Sequence, residues 1–142
     1  MARRLQSLKA LKMTTWQAMS RFVRARDKRC VTCGGPAEHA GHYRHNSERS
    51  QSLGGNALWF DLRNISAQCS GCNTYRAGNL NEYAIYLEKK HGPGILQELN
   101  TLYRTPKKWT REEIEAKRKS FTEAYEQLAF HGLGVVRESV IN

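Results

Sequence analysis

The chain has 142 residues and carries 23 Lys+Arg against 13 Asp+Glu, a net charge of +10 with histidine neutral. No apolar run approaches the ~20 residues that span a bilayer, and no apolar stretch backs the basic amino terminus, so neither a membrane helix nor a secretory leader is expected. A hydrophobic content of 39% with 9% aromatics excludes a wholly disordered chain, and a pI near 9.8 points first to nucleic acid as the partner.

The positive charge is concentrated at the start. Residues 1–29 hold Arg3, Arg4, Lys9, Lys12, Arg21, Arg24, Arg26, Lys28 and Arg29 against Asp27 alone. Such single-sign clustering tracks a phosphate backbone, with a solvated basic helix as the bland alternative. Thr14-Thr15-Trp16-Gln17 has the form of a capping box, and Trp16, Met19 and Val23 follow at helical spacing. A helix is therefore predicted from about Thr15 to Asp27, with residues 1–12 either a short helix or a basic arm. From Cys30 to Cys72 the chain is rich in Gly, Ser, Asn and His and reads as short strands and loops. Asn79 to Glu82 opens a helix that buries Tyr83, Leu87 and in part Tyr86, and Gly92-Pro93 stops it. A short helix carries Ile95, Leu96, Leu99 and Leu102. The last helix starts at a Thr110–Glu113 capping box with Trp109 and Ile114 as its staple, continues through Phe121, Tyr125 and Leu128, and stops at Gly132. Three segments result: a basic arm and helix over 1–29, a core over 30–92, and a helical region over 93–142.

Cys30-x-x-Cys33 and Cys69-x-x-Cys72 are two knuckles separated by 35 residues. Each pair offers two thiolates in one tight turn, and two pairs complete a tetrahedron around zinc. Gly34-Gly35 gives the first turn its backbone freedom. Disulfides are the alternative, but a CxxC pair makes a poor structural bridge. Between the knuckles, Glu38-His39-Ala40-Gly41-His42-Tyr43-Arg44-His45 places three of the five histidines within seven positions. On a strand, His39 and His45 fall on faces opposite or adjacent to that of His42, depending on twist. A histidine that deprotonates water beside a hard cation is enough chemistry to hydrolyse a phosphodiester. Histidines that only bind zinc or line a loop would look the same on spacing.

These residues resemble a family. The Cys-x-x-Cys-Gly knuckle, Ala40 to Arg44, Phe60…Asn64-Ile65…Gln68-Cys69-x-x-Cys72-Asn73, Ala77-Gly78-Asn79-Leu80 and Tyr83 look like the lambdoid phage NinG/Rap recombination endonucleases. Trp16…Phe22-Val23-Arg24-x-Arg26-Asp27 and Lys108-Trp109-Thr110-x-Glu112-Glu113 extend the likeness over roughly residues 14–130. More broadly the chain is similar to HNH, or ββα-metal, nucleases stapled by two CxxC knuckles. The resemblance implies an α+β fold: a ββα-metal (HNH-like) core stapled by a four-cysteine zinc site of Cys30, Cys33, Cys69 and Cys72, flanked by amino- and carboxy-terminal helices.

It further implies His42 as general base, Asn64 as the residue that holds the loop and orients that base, and Asn73 as a ligand of a catalytic Mg²⁺ or Mn²⁺. HNH nucleases commonly carry an Asp directly before the base, where this chain has Gly41. The NinG pattern has an Asp three residues before it, where this chain has His39. His39 is therefore the expected second ligand, with Glu38 behind it. Histidine suits Mn²⁺ better than Mg²⁺. The implied activity is metal-dependent cutting of branched double-stranded DNA, such as Holliday junctions or D-loops, in the cytoplasm of a bacterial host. Arg44 and Arg76 are the candidate phosphate clamps, with Arg21, Arg24 and Lys28 along the backbone. Symmetric cutting favours a homodimer. The rival readings are a non-catalytic zinc module that binds nucleic acid and an HNH nuclease acting on ordinary duplex.

Overall fold

In a computed structural model, which describes residues 5–45 and 55–131, the first helix starts at Ser7 and not at Thr14. Helix α1 runs Leu8–Asp27, and the Ser7 hydroxyl accepts from the Ala10 N–H at 3.1 Å as its cap. Thr14 and Thr15 lie inside the helix and turn their hydroxyls back to the Leu11 carbonyl, at 3.1 and 2.7 Å. That back-bonding is the other local use of a Thr side chain, and it explains why the expected capping box is not a start.

The chain divides into two compact units, Met1–Phe22 with Trp109–Asn142, and Val23–Lys108. They are drawn differently from the three segments read in the sequence. The first unit joins the amino-terminal part of α1 to α4 (Arg111–His131). At the start of α4 the expected box is complete: Glu113 N–H donates to Thr110 Oγ1 at 3.1 Å, and Thr110 N–H to Glu113 Oε1 at 3.0 Å. Trp109 and Ile114 are buried beside it, as are Phe121 and Ala124 further along. The expected stop at Gly132 lies outside the described residues. Thr110→Ala should cost about 1 kcal/mol. Equilibrium urea unfolding measures this, and a change within about 0.3 kcal/mol would show the box to be idle.

The second unit holds a two-stranded antiparallel sheet, β1 (His39–His42) with β2 (Ile65–Gln68), in the register His39–Gln68, Ala40–Ala67, Gly41–Ser66, His42–Ile65. The end of α1 braces it. Arg26 pairs with Asp27 at 2.8 Å and donates to the Ile65 carbonyl at 3.0 Å, while Asp27 accepts from Ala67 N–H at 2.8 Å. After β2 come a five-residue helix of wide pitch, Gly71–Tyr75, then α2 (Leu80–His91) and α3 (Ile95–Tyr103). Leu58, Tyr83, Leu87, Ile95 and Leu99 form one buried cluster, with Tyr43, Leu96, Leu102 and Tyr103 packed on it. This packing places α3 with the knuckle unit, on the other side of the boundary expected at residue 92. The described chain is mostly helical, and none of its helices is long and apolar enough to cross a membrane.

Candidate metal centre and the histidine strand

Four thiols converge. The Sγ atoms of Cys30, Cys33, Cys69 and Cys72 all lie within 4.8 Å of one another, and none is in a disulfide. Cys33 Sγ and Cys69 Sγ are 3.6 Å apart, far beyond the ~2.05 Å of an S–S bond. Bonds of about 2.3 Å to a tetrahedral zinc put sulfurs roughly 3.8 Å apart, so the spacing suits a metal. Donors surround the sulfurs: Gly35 N–H to Cys33 at 3.4 Å, Cys72 N–H to Cys69 at 3.3 Å, and Asn79 Nδ2 and Arg76 Nη1 to Cys72 at 3.6 and 3.7 Å. Thr32 Oγ1 lies 3.2 Å from Cys30. Burial acts to raise the Cys30 thiol, but hydrogen bonds from the Thr32 side chain and from the backbone of Cys69, Thr32 and Cys33 bring it down to about 6. Gly34, at φ +82°, makes the first turn. This centre can hold a metal ion such as zinc.

The pleat sorts the residues of β1. His39 and Gly41 share a face with their cross-strand partners Gln68 and Ser66; Ala40 and His42 share the other with Ala67 and Ile65. His39 and His42 thus lie on opposite faces. On the His39 face, Asn73 arrives from the wide helix: its Nδ2 is 3.0 Å from His39 Nδ1, and its backbone N–H donates to the Cys69 carbonyl at 2.9 Å. Two residues 34 apart in sequence are joined through the second knuckle.

A β-carbon on Gly41 would sit 2.0 Å from Gln68 Oε1 and 2.8 Å from Asn73 Oδ1. Glycine stands where the resemblance leads one to look for an acid because two side-chain oxygens already occupy that space. Both are neutral amide oxygens, a donor type that hard cations accept. The residues on this face therefore suit Mg²⁺ or Mn²⁺ by chemistry. In the sequence Gln68 stands only as part of the family pattern, with no role, and its place opposite His39 brings it here.

On the other face His42 is partly buried. Burial, and after it the charge of His45 (ring centroids 5.8 Å apart), pushes the His42 imidazole down to about 4. The chain just beyond it is clamped by Asn64, which is fully buried: Oδ1 accepts from Arg44 N–H and Nδ2 donates to the Arg44 carbonyl, both at 2.8 Å. Tyr83, also buried, donates its hydroxyl to the Gly41 carbonyl at 2.6 Å. By NMR, the His42 ring should stay neutral down to about pH 4. Folding lowers this pKa, so the group's share of stability is whole above about pH 6.5 and is lost as pH falls through about 4. The full effect is about 3 kcal/mol. A midpoint near 6.5 in the folded chain would contradict the burial.

The other expected site residues fall as follows. Glu38, held in reserve as a ligand, is exposed and its Oε1 accepts from Ser70 N–H at 2.9 Å, which draws the carboxyl below its usual range. It caps the second knuckle turn. The Arg44 guanidinium stacks on Tyr103, 4.1 Å from the ring centroid. Arg76 is exposed next to Cys72, Lys28 is exposed at a turn with φ +67°, and Arg24 is half-buried. Arg21 belongs to the helical unit, where it stacks on Tyr125 at 4.2 Å. Lys12, counted with the basic arm, is only 6% exposed, and its burial lowers its pKa; it is closed to a phosphate backbone. Arg3 and Arg4 lie outside the described residues.

Helices, a small antiparallel sheet and a four-thiol centre define a mixed helical protein with a cysteine cluster that could bind a metal. A family model described as Bacteriophage Lambda NinG protein matches residues 2–129, and the chain belongs to that family. It is 35% identical over 105 residues to protein ninG of Salmonella phage P22, covering 70% of this chain and 48% of the relative. It is also 35% identical over 105 residues to protein ninG of Escherichia phage 933W (70% and 49%), and 34% over the same length to that of Escherichia phage lambda (70% and 48%). The chain spans about half the length of the curated relatives it matches. No solved structure matches it.

Proposed function

We propose that this protein is a metal-dependent endonuclease of branched DNA, built as a ββα nuclease core on a structural zinc. The observation that carries the reading is the 3.0 Å pairing of His39 with Asn73 beside the Cys72 thiolate, on the strand that ends in His42. His42 is neutral, and a neutral imidazole can accept a proton from water. A pKa near 4 makes it a weak base in the free protein; the negative charge of an approaching phosphate would raise it toward working pH. Asn64 and Tyr83 fix the backbone on either side of His42, so the ring is aimed before substrate arrives. Asn73 and His39 are the residues that would hold a divalent cation. When bound, the cation supplies charge stabilisation for the pentavalent phosphorus and the leaving 3′-oxygen. A backbone phosphate would have to meet His42 on one face of β1 and Asn73 on the other.

Arg44 and Arg76, in the same unit, would contact flanking phosphates, with Arg24 and Lys28 at the end of α1 extending the contact; Arg21, in the helical unit, is a separate candidate for a phosphate contact. The products would carry 5′-phosphate and 3′-hydroxyl ends. A homodimer would present two such sites to one junction, and a phage protein of this kind would work in the cytoplasm of the bacterial host. The test compares a labelled four-way junction with linear duplex of equal length, with Mg²⁺ or Mn²⁺. The junction should be cut and the duplex spared. Equal cutting of both would make it a general duplex nuclease, and a gel shift with no cut under either ion would make it a binding module.

A further inference from the structure

Gln68 has one end fixed and one end unanswered. Its Nε2 donates to the Gly78 carbonyl at 2.8 Å and to Thr32 Oγ1 at 3.2 Å. A backbone carbonyl only accepts, so the carboxamide cannot be turned round. Thr32 in turn contacts Cys30 Sγ at 3.2 Å, which ties the side chain to the four-thiol centre. The other end, Oε1, is buried and has no hydrogen-bond partner among the described residues, in a residue that is 0% exposed. Buried acceptors are almost always answered, so this one calls for a ligand. It faces Gly41 together with Asn73 Oδ1. The two oxygens lie 2.0 and 2.8 Å from one point, the place of a β-carbon on Gly41, and so are at most 4.8 Å from each other. The hydrogen bond that Asn73 Nδ2 donates to His39 Nδ1 keeps Oδ1 on that side.

We infer that Gln68 is a ligand of the divalent cation, its Oε1 and Asn73 Oδ1 forming the oxygen pair of the site over Gly41. Two acceptors that converge with no hydrogen between them repel each other unless a positive centre joins them. Octahedral Mg²⁺ or Mn²⁺, with metal–oxygen bonds of about 2.1 Å, holds cis oxygens about 3 Å apart and trans oxygens about 4.2 Å apart, both inside the limit set by the geometry. Amide oxygen suits either ion. Gly41 is then required by the site: any side chain there would displace the oxygens from each other. The inference deepens the proposed function and rests on the cation which that reading invokes.

The test is cation binding by the full chain loaded with zinc. Mn²⁺ is titrated and the free ion read by electron paramagnetic resonance, for wild type, Gln68→Met and Gly41→Ala. Zinc content and circular dichroism are checked in each. Wild type should bind one Mn²⁺ beyond the zinc. Gln68→Met should bind it at least about tenfold more weakly with zinc retained, since losing even a supporting partner costs roughly 10–100-fold in metal affinity. Gly41→Ala should weaken binding similarly with Gln68 itself unmutated, because the added carbon displaces its Oε1. In wild type, Mg²⁺ should shift the ¹³Cδ resonance of Gln68, which a purely structural carboxamide or one answered by water would not show. If Gln68→Met fails to fold, Gly41→Ala and the carbon shift decide. Wild-type Mn²⁺ affinity in Gln68→Met with cleavage kept, or an unmoved carbon resonance at saturating Mg²⁺, overturns this inference alone. Failure of wild type to bind any Mn²⁺ overturns both it and the nuclease reading.

Discussion

Stripping the metal from the four-thiol centre should unfold the Val23–Lys108 unit. The reason is one of scale. A structural zinc contributes on the order of 10 kcal/mol of apparent binding energy, comparable to the whole stability of a small domain. The apolar cluster around Tyr83 and Leu99 is small, and the sheet has only two strands of four residues each. Without the metal, four thiols drawn within 4.8 Å of one another would lose the bonds that join the two knuckle turns through their sulfurs. Protein purified without added metal should carry about one equivalent of zinc per chain. Cys69→Ser should lose the metal and give a poorly folded unit by circular dichroism. Recovery of a well-folded, metal-free protein would refute the assignment of the centre.

His42→Ala should reduce cleavage by about 10²–10⁴-fold, the usual cost of losing a general base. Junction affinity should stay nearly unchanged, because the ring acts on water and the charge that binds DNA lies elsewhere. The structure makes this separation sharper than spacing alone allows. Asn64 and Tyr83 hold the backbone around position 42 by bonds to the main chain of Arg44 and Gly41. The substitution therefore leaves the loop clamped. A single-turnover rate equal to wild type would remove His42 from the chemistry.

How much of this is legible in the sequence depends on the reach of each signal. The knuckles and the Thr110–Glu113 box are patterns of three or four residues, and both stand in the structure as written. Tyr83 and Leu87, four apart, give the buried side of α2 for the same reason. The start of α1 escapes such a pattern because Thr14 and Gln17 imitate a cap, while Ser7 has Ala10 and no Glu or Gln three residues on. The pairing of His39 with Asn73 is reached only through family resemblance, since no local pattern joins residues 34 apart. Gln68 stands in the family pattern, but the pattern carries no signal of its role. Its meaning comes from the register that sets it opposite His39 and from the Gly41 backbone beneath it, both products of tertiary structure. Lys12 likewise reads as a surface charge in a basic run, and only packing shows it buried.

Under the proposed function, the His42 strand and the asparagine that follows Cys72 hydrolyse a phosphodiester with the help of a divalent cation. The most direct measurement mixes the zinc-loaded chain with an end-labelled four-way junction, with and without added Mn²⁺, and analyses the ends formed. Nicks are expected near the branch point that need the added ion, bear 5′-phosphate and 3′-hydroxyl, and fade in His42→Ala. Tight binding of the junction with every strand intact at saturating Mn²⁺ would contradict the proposed function.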